Sequence, residues 1–495
     1  MGIIARQTIK GSIYSYLGAF IGFINVGLIM PQIFSTAEIG LTNLLVAVSA
    51  IFGQFGSLGF INVTLRQFPY FRDEKNNHNG FLFFLLAVGT LGFLLCSGAY
   101  YILKPSLIAE NVDKSPLFAE YVYLLIPLIF ITIFHLLIDT YNRVLFNASF
   151  GLFVKEFLLR ILNLFGILLF YFGVFDFHDF IIFYTISYGI PVMLICLLLM
   201  YKHQFKLKPS FSILKPSFLR EIISVAAFGS ISGFSGMVIM QLDRYLINHY
   251  CDLSATGIYS TVFFFGSVIL LPGRSLIRIS GSLIAEAFKN NDNKKVDLIY
   301  RKSTTSLTII GLMLFILIWG NVNNILQLLP EEFSQGKYVI LCIALAHVLQ
   351  MVASVSGEII QFSKYYRQHV VIMIVLIISI ICLNIIMLPI WGIIGAGIAS
   401  AISFFIYFIL RFIYIKIKFG FQPFDWKHLI IILMSASSYF ISLLLPQVGN
   451  FVVDIIIRSG LLCVLFGIPL YFTGYSEEYN LLVLRVLKMF KIKKQ

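Results

Sequence analysis

Two arginines, Arg274 and Arg278, lie inside a stretch of the chain that is otherwise apolar. They are four residues apart and therefore share one face of a helix. Both follow Pro272 and Gly273, a pair that should break or kink the helix and free backbone groups near the two side chains. Two guanidinium groups on one face suit a diphosphate, which they hold by bidentate, charge-assisted hydrogen bonds. The alternative is that both side chains extend to the membrane surface and only anchor the helix.

Three further charged residues, Asp243, Arg244 and Glu358, fall within apolar stretches, where each charge costs about 2.5–3.5 kcal/mol on insertion scales. Asp243 and Arg244 are adjacent, so they point about 100° apart on a helix and each needs another partner. Asp243 is a candidate carrier of a coupling proton or sodium ion, and Arg244 a candidate contact for sugar or phosphate. A structural ion pair to another helix fits both equally well. Glu358 could be the counter-charge to Arg274, the coupling carboxylate or an interface residue, and the first two together are favoured. Arg66 is expected to join a basic entrance.

Two pairs of opposite charge have the spacing of neighbours on a helix. Glu156 and Arg160 are four residues apart, as are Asp139 and Arg143. We expect both pairs to neutralise each other locally.

The sequence contains no motif for a metal site or a nucleotide site. His135 is predicted to be a packing residue that is satisfied by its neighbours, and Arg458 an interface or packing residue. No spacing of His, Cys and carboxylates indicates a metal site, and no glycine-rich loop with a lysine supports ATP use. We therefore predict no cofactor, and leave open a coupling to an H⁺ or Na⁺ gradient.

The composition is that of a polytopic membrane protein. Of the 495 residues, 59% are hydrophobic and 12% charged, and the mean hydropathy is +0.92. About 20 apolar residues cross a bilayer, and this length predicts fourteen spans. The predicted spans are 11–31, 40–64, 80–102, 119–139, 152–174, 179–201, 221–247, 255–280, 303–320, 338–361, 369–389, 392–414, 428–446 and 451–473.

The distribution of basic residues predicts the orientation. Most of the 36 Lys and Arg fall on one side of the predicted spans, and the other side holds only Lys104, Lys114 and Lys337. The positive-inside rule then places both termini in the cytoplasm. Because topology and anionic lipid account for the net charge of +13, no nucleic-acid partner is predicted.

The second half of the chain repeats the positions of certain glycine and serine residues of the first half. Residues 11–13 and 229–231 are both Gly-Ser-Ile, and near the same offset Gly40 aligns with Gly257. Two six-helix halves would then be parallel repeats that enclose a site. The predicted domains are an N-terminal bundle, a cytoplasmic linker, a C-terminal bundle, a terminal helix pair and a basic amphipathic tail. Their bounds are 1–201, 202–220, 221–414, 415–475 and 476–495.

Several of these segments together resemble the bacterial oligosaccharide flippase (Wzx-like polysaccharide exporter) family. The resemblance rests on Asp-Arg-Tyr-Leu at 243–246, Gly-Ile-Tyr-Ser at 257–260, Pro272 with Arg274 and Arg278, Ser-Lys-Tyr-Tyr-Arg at 363–367, the glycine-rich run 392–399, and residues 8–12 and 38–40. It covers nearly the whole chain, although its motifs are loose.

The resemblance implies an all-α, MATE-like fold of the multidrug, oligosaccharidyl-lipid and polysaccharide exporter superfamily. The implied activity, which is transport and not enzymatic, moves an undecaprenyl-diphosphate-linked oligosaccharide to the outer leaflet of the inner membrane. The lipid II branch carries arginines on its first two helices, where this chain has Asn25 and Gln54. That departure argues against lipid II as the substrate.

Two other functions remain open at this stage. A MATE-like cation-coupled multidrug antiporter would share the fold but favour carboxylates in its cavity. A membrane-embedded glycosyltransferase or polymerase would need a sizeable hydrophilic loop, and the loops here are short. The expected partners are a lipid-linked oligosaccharide, membrane lipids and other polysaccharide assembly proteins, with the protein itself a monomer.

Overall fold

The structure is a computed structural model that describes residues 3–74, 76–209, 216–477, 479–481 and 483–484. The side chains of residues 3–9, Ser232, Ser235, Val238, Ser275 and Arg278 lie outside this description. Every regular element in the described ranges is a helix. Contacts divide the chain into two compact units, Met1–Thr261 and Val262–Gln495. The domain bounds proposed from the sequence remain predictions.

The first unit contains eleven α-helices among its described residues and the first part of a twelfth. They are α1 (Ile3–Gly22), α2 (Met30–Ile33), α3 (Thr36–Gly56), α4 (Phe60–Phe71), α5 (Phe81–Asn111), α6 (Pro116–Tyr121), α7 (Leu125–Val144), α8 (Ala148–Leu152), α9 (Leu159–Tyr171), α10 (Phe177–Tyr201), α11 (Pro216–Tyr250) and α12 (Leu253–Ser267). Two π-helical segments, Phe23–Ile29 and Phe153–Leu158, follow α1 and α8.

The helices that follow α12 belong to the second unit. They are α13 (Leu270–Lys289), α14 (Asn293–Gly320), α15 (Val322–Gln327), α16 (Lys337–Phe362), α17 (Tyr366–Phe419), α18 (Trp426–Leu443) and α19 (Phe451–Thr473). Helix α16 packs against α13, α14 and α17, and a smaller core joins α14, α18 and α19.

Ten helices in the described ranges are long and apolar enough to cross a membrane, or eleven if one bent pair forms a single span. The predicted count of fourteen is therefore not confirmed. Two predicted spans, 369–389 and 392–414, lie in α17, whose helical geometry is interrupted at Gly392 (φ 54°, ψ −138°). Another, 152–174, is not among the ten, because it carries the three charged residues Lys155, Glu156 and Arg160 within a short stretch.

The start of α3 shows how the sequence sets a helix boundary. The Ser35 hydroxyl accepts a hydrogen bond from the Glu38 backbone N–H at 3.3 Å, and the Glu38 carboxylate accepts one from the Ser35 N–H at 2.8 Å. This capping box satisfies backbone donors that a helix start leaves free. Helix α3 accordingly begins at Thr36, four residues before the predicted span.

The bend that was expected near Pro272 and Gly273 is present. Helices α12 and α13 meet at an angle of 55°, and the break falls just before Pro272. Proline then lies in the first turn of α13, where its missing N–H costs nothing. The break therefore fixes the direction of the helix that carries Arg274 and Arg278.

Arg458, a charged residue within α19, forms a buried ion pair. Its guanidinium bonds Asp454 at 3.1 Å and donates to the backbone oxygens of Ser442 and Leu445. Asn324 donates to the same carboxylate at 2.5 Å. The network joins α15, α18 and α19, so Arg458 is a packing residue, in agreement with the sequence-based prediction.

Candidate functional site

In the first unit, Asp243 and Arg244 connect α11 to α12. The Tyr259 hydroxyl donates to Asp243 Oδ2 at 2.7 Å, and Arg244 Nε donates to the Ser260 hydroxyl at 3.2 Å. Asp243 is 7% exposed. Two adjacent residues of one helix thus bond two adjacent residues of the next. This arrangement holds the two helices together and favours a structural role for Asp243 and Arg244.

Arg244 also reaches the wall of a cavity within the same unit. Its Nη1 donates to Gln241 Oε1 at 2.6 Å, and Gln241 lines that cavity together with Tyr188 of α10. The Tyr188 hydroxyl is 3.2 Å from the Tyr184 hydroxyl, and the Arg244 charge acts on both tyrosines. A sugar hydroxyl or phosphate oxygen in the cavity would meet Gln241 and Tyr188, with Arg244 bonded to Gln241 behind the wall.

Arg66 lies on α4 with an exposed side chain. Its neighbour Gln67 is buried and donates to Glu221 of α11 at 3.0 Å. Arg66 takes part in none of the ion pairs formed among the described residues. A basic group with this exposure is available to solvent or to a lipid head group.

Of the two arginines on α13, the structure describes one side chain. Arg274 is exposed and is in no ion pair with another described residue, whereas the Arg278 side chain lies outside the described residues. Their helical spacing is as predicted, because both positions belong to the continuous helix Leu270–Lys289. Whether they hold a diphosphate remains a prediction.

Glu358 lies on α16, partly buried against α13. A Cβ atom on Gly281 would be 2.7 Å from its Oε2, so the carboxylate occupies the space that this glycine leaves. The structure does not bring Glu358 into an ion pair with Arg274, the pairing expected from the sequence. Its charge interacts instead with that of Arg411 on α17, although the two groups do not approach within the 4.0 Å of an ion pair among the described residues.

Arg411 is a buried charge that sequence reasoning missed. The positive-inside count includes Arg411 among the basic residues of the cytoplasmic side, but its side chain is only 5% exposed. The guanidinium donates to the Ala353 carbonyl at 3.2 Å, lies 3.3 Å from His369 Nδ1 and packs over the Tyr407 ring at 4.0 Å. Two features of the sequence could have indicated that Arg411 is buried. It lies inside the predicted span 392–414, and Tyr407, one helical turn earlier, can pack against a guanidinium.

The described residues contain no group of three or more His, Cys, Asp and Glu side chains placed to hold a metal ion. Both units carry charged side chains on apolar helices. In each unit the candidate residues combine a carboxylate with a guanidinium and tyrosines: Asp243, Arg244 and Tyr259 in the first, and Glu358, Arg411 and Tyr407 in the second. Such groups can bind phosphate, sugar hydroxyls or a coupling ion.

These helices define a multi-pass integral membrane protein, and two solved structures have a similar fold. The lipid II flippase MurJ, in an inward closed conformation, matches with a TM-score of 0.73 over 93% of this chain and 98% of that chain, at 15% identity. An inward-facing MATE multidrug resistance transporter of the MOP superfamily matches with a TM-score of 0.63 over 85% of this chain and 98% of that one, at 14% identity. The chain therefore shares the fold of these two proteins.

Sequence similarity adds a curated relative. The chain is 22% identical over 226 residues to the probable low-salt glycan biosynthesis flippase Agl15 of Haloferax volcanii. That alignment covers 44% of this chain and 48% of the relative, so the chain spans about half the length of the curated protein it matches. No family model matches the chain.

Proposed function

We propose that the protein is a flippase of the Wzx-like type, which moves an undecaprenyl-diphosphate-linked oligosaccharide from the cytoplasmic to the outer leaflet. The proposal places it in the bacterial inner membrane with both termini in the cytoplasm, where it serves cell-surface polysaccharide synthesis. The MurJ-like fold and the glycan flippase among its relatives support a transporter of lipid-linked sugars.

The observation that carries the proposal is the guanidinium of Arg274, which is exposed on α13 and in no ion pair with another described residue. A guanidinium stays protonated at any physiological pH, so α13 presents a permanent positive charge among apolar helices. The buried guanidinium of Arg411 adds another positive charge, and no carboxylate oxygen of the described residues comes within 4.0 Å of it. Charges of this sign favour an anionic substrate and disfavour an organic cation.

The proposed mechanism is alternating access. Arg274, with Arg278, would receive the diphosphate head group on the cytoplasmic side while the lipid tail stays in the bilayer, and Arg66 and Arg244 are proposed as further contacts. Glu358 or Asp243 would carry a coupling H⁺ or Na⁺. The membrane potential is an alternative energy source, since moving one charge across it is worth about 2.3 kcal/mol per 100 mV.

A MATE-like cation-coupled drug antiporter is the second candidate. It is favoured by the similarity to the MATE transporter and by Asp243, a buried carboxylate in an apolar helix. Against it, Asp243 already accepts a hydrogen bond from Tyr259 in a contact that joins two helices.

Depleting the protein in its native cell separates the two candidates. A flippase predicts that lipid-linked oligosaccharide accumulates in the cytoplasmic leaflet and surface polysaccharide falls, with unchanged sensitivity to cationic drugs. Increased drug sensitivity with normal surface polysaccharide would contradict the proposal and support the antiporter.

A further inference from the structure

A cavity of about 280 Å³ lies wholly within the first unit. Helices α3, α7, α9, α10 and α11 and the π-helical segment Phe153–Leu158 form its walls. Its polar lining includes Ser49, Thr132, His135, Lys155, Arg160 and Gln241. This volume is just below the roughly 300–1,000 Å³ that small-molecule sites occupy, so the cavity suits a head group better than a whole glycolipid.

The charges that line this cavity are unequal. Lys155 and Arg160 contribute two positive charges and Glu156 one negative charge, which leaves one positive charge in excess. Neither cation comes within 4.0 Å of a carboxylate oxygen of the described residues. Because an uncompensated charge in an apolar region is costly, the two cations favour an anion or water in the cavity.

Glu156 and Arg160 form no ion pair among the described residues. Their spacing predicts such a pair on a helix, and that prediction is wrong for this structure. Glu156 lies in the π-helical segment Phe153–Leu158 and Arg160 in α9. Both side chains line the cavity, and the Arg160 charge is not neutralised at contact distance by Glu156.

Several polar atoms at the cavity wall have no hydrogen-bond partner in the described part of the chain. Both ring nitrogens of His135 are in this state, as are Arg160 Nε and Asn163 Oδ1. The prediction that His135 is a satisfied packing residue is thus wrong. Leaving a buried polar atom without a hydrogen bond costs about 1–3 kcal/mol, so these atoms favour a polar ligand or water in the cavity. The nearby pair Asp139 and Arg143, by contrast, bond each other.

Helix α1 holds Arg160 in place. A Cβ atom on Gly22 would be 3.1 Å from Arg160 Nη1, and one on Gly18 would be 2.1 Å from the Glu156 backbone oxygen. The Asn25 side chain donates to the Arg160 backbone oxygen at 2.7 Å. The guanidinium is therefore confined at the cavity wall and does not swing freely to the membrane surface.

We infer that this cavity is a binding position for the diphosphate group of an isoprenoid lipid, separate from the position proposed at Arg274. The inference rests on the proposed function. A lysine, an arginine and amide donors on Asn163 and Gln241 match a group with several anionic oxygens. The excess positive charge disfavours an organic cation in the same space.

Binding to the purified full-length protein in detergent micelles tests the inference without transport. Labelled inorganic pyrophosphate is the probe, measured in an Arg274→Ala background so that binding at that position is not counted. We expect saturable binding that Lys155→Gln and Arg160→Gln each weaken about tenfold or more. Lys206→Gln removes an exposed lysine of the same unit and is the matched control, with unchanged binding.

Glu156→Gln gives the sharpest expectation, because it removes the cavity's carboxylate and should tighten pyrophosphate binding about threefold. A merely structural role for these residues predicts no such gain. Farnesyl diphosphate should displace the probe, which assigns the site to a lipid-linked group. The inference is overturned if pyrophosphate does not bind, if Lys155→Gln and Arg160→Gln bind as the background does, or if farnesyl diphosphate fails to compete.

Failure of this inference is distinguishable from failure of the proposed function. If the cavity variants bind pyrophosphate normally and the protein still transfers a diphosphate-linked lipid, the inference fails and the function stands. If binding behaves as expected but no lipid is transferred, the function fails and the cavity remains an isoprenoid diphosphate site.

Discussion

Gly40 and Gly257 lie against each other's helices in a reciprocal contact. A Cβ atom on Gly40 would be 1.9 Å from the Leu253 backbone oxygen, and one on Gly257 would be 1.9 Å from the Thr36 backbone oxygen. Thr36 and Leu253, like Gly40 and Gly257, are 217 residues apart. The internal repeat predicted from the sequence would make these positions equivalent, and it remains a prediction. The starts of α3 and α12 depend on the two glycines for their close approach.

Replacing either glycine by alanine should therefore destabilise the protein. The added methyl group cannot be accommodated without moving backbone, which typically costs about 1–3 kcal/mol. Thermal unfolding of Gly40→Ala and Gly257→Ala in detergent should show lower Tm values. Gly98→Ala is the matched control, since Gly98 lies in α5 with nothing within 4 Å of its added Cβ. A Tm at or above that of the control would contradict the contact.

Arg458→Met should lower stability strongly without changing transport per folded molecule. The substitution leaves Asp454, which is 1% exposed, without its ion-pair partner. Breaking a buried pair in this way costs about 3–5 kcal/mol. The double variant Asp454→Leu with Arg458→Met should recover part of the loss in thermal unfolding. No recovery, or no loss in the single variant, would show that the pair does not stabilise α18 and α19.

Glu358→Gln tests whether this carboxylate carries the coupling ion. The neutral side chain keeps the size of glutamate and still fits beside Gly281, so the fold should persist. We expect transfer that no longer responds to an imposed H⁺ or Na⁺ gradient. Glu332→Gln, at an exposed position of the same unit, should respond as the wild type does. A gradient response that survives in Glu358→Gln would exclude it as the coupling carboxylate.

Arg274→Ala should abolish lipid transfer while the protein still inserts and folds. Its side chain is exposed and in no ion pair with a described residue, so its loss should cost little stability. Gel filtration and thermal unfolding check the fold, and leaflet transfer in liposomes checks the activity. Wild-type transfer by this variant would remove Arg274 from the binding position.

Sequence reasoning found the features that depend on local spacing. The bend before Pro272 and the bonding of Arg143 to Asp139 both follow from residues a few positions apart. It failed for Glu156 and Arg160, whose spacing predicts an ion pair that the structure does not form although both residues line one cavity. It also missed Arg411, because charge counting assigns an arginine near the end of a span to the loop that follows.

The reciprocal contact of Gly40 and Gly257 could not be derived either. A constant separation in sequence aligns the two glycines, but it does not indicate that the equivalent positions are in contact. Which helices surround the cavity at His135 is likewise a matter of tertiary packing, since its wall draws on residues from Val46 to Gln241. The sequence therefore specified the charged residues and the helices that carry them, whereas the partners of those residues required the structure.

Leaflet transfer by the purified protein in liposomes tests the central claim most directly. Vesicles would carry a fluorescent undecaprenyl-diphosphate oligosaccharide in one leaflet, with protein-free vesicles as the control and uptake of an organic cation measured in parallel. The account predicts rapid transfer of the diphosphate-linked lipid and no gradient-driven exchange of the cation. Cation exchange without lipid transfer would contradict it.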